Sequence, residues 1–134
     1  MVGIVIASHH TLALALKETL EMIIGITDNV AALSLEKTET IEAFAERLKA
    51  LVKEKETGEG VIIFTDMFGG TPCNAALLSF EKDEKVKVLA GFNLPILIEA
   101  AMHASKNIDD LFRTLMEKRD KTIIDAKAIF SKRG

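Results

Sequence analysis

Apolar residues follow two rhythms along this chain. Val2-Gly3-Ile4-Val5-Ile6-Ala7 and Val61-Ile62-Ile63-Phe64 are nearly unbroken apolar runs. Strands of a parallel sheet read this way when helices cover both of its faces. Between the runs, apolar residues recur at helical spacing. Leu12, Leu16, Leu20, Ile23 and Ile24 make one stripe; Ile41, Phe44, Leu48, Leu51 and Val52 make a second; Ile108, Leu111, Phe112 and Leu115 make a third. The pattern predicts strands over 2–8, 29–35, 60–66 and 85–90. It predicts helices over 11–24, 40–53, 72–81 and 95–104, and another opening at Asn107. Gly25 suits the end of the first helix. The second strand, short and weakly apolar, is expected near a sheet edge. The tail, 122–131, fits helix or strand; helix to about Ile124 and then a short final strand is the preferred reading.

Strand alternating with helix four times predicts an α/β fold: a doubly wound, mostly parallel sheet with helices on both faces. Right-handed crossovers bring every C-terminal strand tip to one edge, and ligands of such folds bind above it. The residues gathered there are Ser8-His9, Leu35-Glu36, Asp66 to Thr71, and Gly91 to Asn93. Gly69 and Gly70 turn the chain tightly. Thr71 and Pro72 read as N-cap and first residue of the third helix.

Composition narrows the picture. A length of 134 residues suits one domain over 1–134, and 49% hydrophobic content suffices for one core. A net charge of -3 with scattered basic residues argues against a nucleic-acid surface. The lone Cys73 precludes an internal disulfide and suggests a reducing compartment. The start of the chain lacks a secretory pattern, and no apolar run reaches the ~20 residues of a membrane span. A cytoplasmic domain is expected.

His9 and Asp66, at adjacent strand tips, are the candidate catalytic pair. A carboxylate accepting from one ring N–H fixes the tautomer and leaves the other nitrogen free as a nucleophile. If that nitrogen takes a phosphoryl group, its oxygens need donors. The hydroxyls of Ser8 and Thr71, backbone donors around Gly70, and secondarily His10 are the candidate phosphate-binding groups. A strand-end histidine is also a common structural residue, and Asp66 can simply cap its turn. His103 reads as an ordinary surface residue, and Cys73 as a small packed one. No Lys follows Gly70, as a Walker loop requires, and no dinucleotide glycine fingerprint follows the first strand. A zinc site from His9, His10, Asp66 and His103 is disfavoured, because adjacent histidines rarely face one site. No cofactor or metal is expected.

The run Ile4-Val5-Ile6-Ala7-Ser8-His9 before a helix, then Asp66-x-x-Gly69-Gly70-Thr71-Pro72-x-Asn74, then Gly91-x-Asn93-x-Pro95, resembles the IIA component of the mannose-type (mannose/fructose/sorbose) sugar phosphotransferase system. The resemblance covers essentially the whole chain. It implies a cytoplasmic phosphoryl carrier that takes phosphate from the phosphocarrier HPr and passes it to a IIB component. That component in turn phosphorylates sugar arriving through the membrane components IIC and IID. It implies phosphohistidine at His9 with Asp66 as its carboxylate partner, and a homodimer exchanging a C-terminal edge strand. The family commonly has Gly where this chain has His10, and often Trp where it has Phe68. Phe68 and Leu94 are expected to form an apolar rim for docking proteins. Two other readings stay open: a IIA domain serving a dihydroxyacetone kinase, and a receiver-like domain phosphorylated on Asp66. The latter lacks acidic Mg²⁺ ligands at the first strand tip.

Overall fold

The computed structural model describes residues 1–133. Four strands, β1 (Gly3–His9), β2 (Val30–Leu35), β3 (Val61–Thr65) and β4 (Val86–Ala90), form one parallel sheet in the order β2-β1-β3-β4. The expected edge position of β2 is met, and β4 forms the other edge. The helices are α1 (Leu12–Ile24), α2 (Ile41–Lys55), α3 (Thr71–Phe80), α4 (Leu94–Met102), α5 (Ile108–Lys118) and α6 (Ala126–Arg133). A 3₁₀ turn, Arg119–Lys121, follows α5.

Side-chain alternation along β1 and β3 divides the interior into two layers. Ile4, Ile6, Ile62 and Phe64 face α1, α4 and α5, meeting Leu20, Leu97, Leu111 and Leu115. Val5, Ala7, Val61 and Ile63 face α2 and α3, meeting Phe44, Leu48, Val52 and Ala76. Each of the large buried side chains contributes about 1.5–3 kcal/mol of burial. The two central strands are therefore held from both faces, and their tips have little freedom.

Local signals set the helix starts. Thr40, Asn93 and Asn107 each accept a backbone N–H from the first turn of α2, α4 and α5. The α1 stripe read in sequence is met in part, with Leu16, Leu20 and Ile24 packed in the core. Ala13 and Leu20 are buried, whereas Leu12 and Ile23 are exposed with Met22 and Ile26. At the β2 edge, Arg47 donates to the Ser34 carbonyl and pairs with Glu39. The Arg47 hydrogen bond holds the Glu39 carboxyl below the usual carboxylate range.

The tail departs from expectation. The helix ends at Lys118 rather than near Ile124, and no strand follows among the described residues: Ala126–Arg133 is α6. Residues 123–132 are all exposed, so nothing within the chain enforces strand pairing there. An extended tail needs a partner strand for its backbone groups, and a helix satisfies them internally.

Candidate functional site

The site lies where the chain reverses its direction of travel across the sheet. It moves from β1 outward to β2, crosses back along α2, and enters β3 on the other side of β1. The adjacent tips of β1 and β3 thus open a cleft at their C-terminal ends. His9 ends β1, and Asp66 follows β3 directly.

Asp66 binds His9 twice through one oxygen. Its Oδ2 accepts the His9 backbone N–H at 2.9 Å and lies 2.7 Å from His9 Nδ1. Its Oδ1 accepts the backbone N–H of Met67 at 3.1 Å. The carboxylate is thereby fixed by two backbone donors before it orients the ring. As carboxylate and neutral imidazole, the pair requires the ring proton on Nδ1, donating to Oδ2. Nε2 then carries the lone pair, and it has no hydrogen-bond partner among the described residues. The His9 side chain is 44% exposed and that of Asp66 only 12%. The imidazole is thus open to solvent, while the carboxylate that orients it is shielded.

The other sequence candidates are divided by the structure. Gly70 borders the ring: a Cβ built on it would point at the Cε1–Nε2 edge of His9. Gly70 is also the N-cap of α3, so Thr71 is the first helical residue rather than the cap expected for it. The Thr71 and Cys73 N–H groups have no intrahelical partner by position, and Pro72 has none to give. These N–H groups and the Thr71 hydroxyl are the donors at the start of α3. Ser8 is not beside them. It is fully buried on the Ile4 and Ile6 face, accepts Ala13 N–H at 2.7 Å, and donates to the His9 carbonyl at 3.0 Å. Both uses of its hydroxyl are taken, so it anchors the start of α1 to the end of β1. His10 also turns away: it is exposed, with Nδ1 3.1 Å from Thr11 Oγ1. Its φ of 53° makes it the only non-glycine residue at positive φ among those described. That is the physical reason a glycine suits this position.

His103 pairs with Glu99 at 3.3 Å, remote from the pair. Cys73 is buried. No cluster of three or more His, Cys, Asp or Glu suited to a metal ion occurs among the described residues. Phe68, 79% exposed, and Met67 make an apolar surface beside the cleft, and Leu94 sits half-buried at the start of α4. Sequence reasoning missed Thr65, whose hydroxyl is buried without a partner one residue before Asp66. It also missed the tie from Asn93 Nδ2 to Thr122 Oγ1, 3.0 Å, which holds the start of the tail beneath the α4 cap. A cavity of about 350 Å³ lies along β4, lined by Phe64, Leu89, Phe92, Ile96 and Leu115 among others. It contains neither His9 nor Asp66.

Comparison with known proteins bears on this arrangement. Residues 3–116 match the family model described as PTS system fructose IIA component. The chain is 36% identical over 99 residues to the PTS system fructose-specific EIIA component of Bacillus subtilis, covering 74% of this chain and 68% of that protein. It is 35% identical over 101 residues to the PTS system mannose-specific EIIAB component of Escherichia coli K12, covering 75% of this chain but only 31% of that longer protein. The crystal structure of the PTS IIA protein associated with the fucose utilization operon of Streptococcus pneumoniae superposes with a TM-score of 0.86 at 31% identity, covering 96% of this chain and 95% of the other. With the α/β fold in place and the match running from β1 into α5, the chain belongs to the mannose-type family of IIA components of the sugar phosphotransferase system.

Proposed function

We propose that residues 1–134 form one IIA domain that carries a phosphoryl group on His9 Nε2. It receives the group from phospho-HPr and delivers it to a IIB component for sugar uptake through IIC and IID. The observation that carries this reading is the 2.7 Å contact between His9 Nδ1 and Asp66 Oδ2 on a ring that is 44% exposed. Neutral His9 attacks phosphorus in line through the Nε2 lone pair. The N–P bond to the donor histidine breaks, and its electron pair returns to that donor ring. The ring of His9 becomes cationic with its proton kept on Nδ1, and Asp66 stabilises this charge. The Thr71 hydroxyl and the open N–H groups of Thr71 and Cys73 hold the phosphoryl oxygens. Transfer to IIB runs the same geometry backwards. Met67 and Phe68 provide the apolar part of a transient interface. The compartment is the cytoplasm.

A homodimer is part of the same proposal. Edge strand β4, the apolar cavity beside it, and the exposed Ile123, Ile124, Ile129 and Phe130 of the tail are complementary unpaired features. The tail of a second copy is the occupant they suit.

Incubation with phosphoenolpyruvate, enzyme I and HPr tests the carrier. Wild type should acquire acid-labile, base-stable label, and His9→Ala should acquire none. Undiminished label on His9→Ala sinks the assignment. Label that is lost in hydroxylamine and depends strictly on Mg²⁺ would favour the receiver-like alternative on Asp66.

A further inference from the structure

Gly69 and Gly70 are neighbours in one turn, but they are glycine for different reasons. Gly69 has φ +86°, and a Cβ built on it would meet nothing within 4 Å. Its requirement is backbone conformation. Gly70 has φ -82° and ψ 169°, extended geometry open to any residue. It also occupies the N-cap of α3, where Ser, Thr, Asp or Asn would cap better, and no side chain caps this helix. What Gly70 supplies is space. A Cβ there would stand 2.7 Å from His9 Cε1, 3.4 Å from His9 Nε2 and 3.3 Å from Met67 Cγ.

The ring has no easy way to yield. Its Nδ1 edge is tied to Asp66 Oδ2 at 2.7 Å, and its Cα is fixed by β1 and by the His9 N–H bond to the same oxygen. Rotation away from a methyl at position 70 would lengthen the Nδ1 contact. Without rotation, the methyl would crowd the Cε1–Nε2 edge, where an incoming group must approach.

We infer that Gly70 is a positioning residue for His9: its bare Cα is the seat against which Asp66 holds the imidazole, keeping Nε2 aimed outward and uncovered. The consequence for transfer rests on the phosphoryl-carrier reading; the seating of the ring does not. The glycine carries a cost in helix capping. A better helix cap is forgone to leave room for the ring.

Two measurements on Gly70→Ala test this. The first is the histidine ring spectrum by ¹H–¹⁵N NMR, with the rate of labelling by phospho-HPr. The ring signals of His9 should shift, and labelling should slow by about 10–100-fold, as expected for a misplacement near 1 Å. Gly58→Ala is the control. It adds the same methyl at φ +104°, with nothing within 4 Å. It should lower the urea midpoint while leaving the His9 signals and the labelling rate at wild-type values.

The second is a double-mutant cycle on the urea midpoint, which remains decisive if Gly70→Ala folds poorly. In a His9→Ala background the ring is gone, so Gly70→Ala should lower the midpoint much less than it does in wild type. Equal losses in both backgrounds would mean the turn itself requires glycine, and would overturn the inference. So would unchanged His9 ring signals in Gly70→Ala, whatever the labelling rate. If phospho-HPr fails to label wild type, the carrier reading falls, while the spectrum and the cycle still decide the seat.

Discussion

The rim formed by β1 and β3 and the segment after Lys118 differ in how many constraints each residue carries. At the rim, His9 ends a strand whose residues 3–8 are all buried, and one carboxylate oxygen binds both its backbone and its ring. Beyond Lys118, residues 123–132 are exposed, and Ile123, Ile124, Ile129 and Phe130 pack into no core cluster. A residue held from several sides has one conformation whatever docks on it. A residue held by nothing in its own chain takes its conformation from what covers it. The protein thus combines a rigidly held imidazole with a terminal segment whose apolar side chains are exposed.

The largest expected effect strikes the rigid side. Asp66→Asn keeps the size of the side chain but removes the charge that stabilises the cationic ring. Labelling by phospho-HPr should fall about 10²–10³-fold, with the thermal midpoint close to that of wild type. A rate within threefold of wild type would show that the carboxylate is a turn cap and no more. The next effect concerns the tail. Removing 123–134 should leave a folded core by circular dichroism, because Asn93 and Thr122 remain tied. Sedimentation should then shift from dimer to monomer. A dimer that persists would place association elsewhere, and an unfolded product would mean that the tail belongs to the core. The smallest effect is at His10. Replacing it with glycine relieves a left-handed backbone and should stabilise by about 0.5–1 kcal/mol, measured in urea. Labelling should remain within twofold, since the side chain points away from the pair.

Legibility in the sequence divides along the same line. The strands, the edge position of β2 and the meeting of His9 with Asp66 are legible because apolar runs and crossover rules leave few ways to arrange a parallel sheet. Ser8 is misplaced by sequence reasoning although a signal exists. Alternation puts it with Ile4 and Ile6, on the α1 side, and His9 with Val5 and Ala7. Thr71 reads as the cap of α3 because Gly70 is the poorer cap by preference. Only coordinates reveal that the ring of His9 occupies the space a capping side chain would need. The α1 stripe is hard to place because that helix is apolar nearly all round, which leaves periodicity little contrast. The tail is illegible, since a segment without intrachain partners has no local reason to choose strand over helix.

The central claim is that Asp66 takes Nδ1 and so commits Nε2 to the phosphoryl group. ¹H–¹⁵N and ³¹P NMR of the protein labelled through HPr tests it directly. Phosphorus coupled to Nε2 of His9, with a proton retained on Nδ1, is the predicted result. Phosphorus on Nδ1, on His10 or on the carboxylate of Asp66 would contradict it.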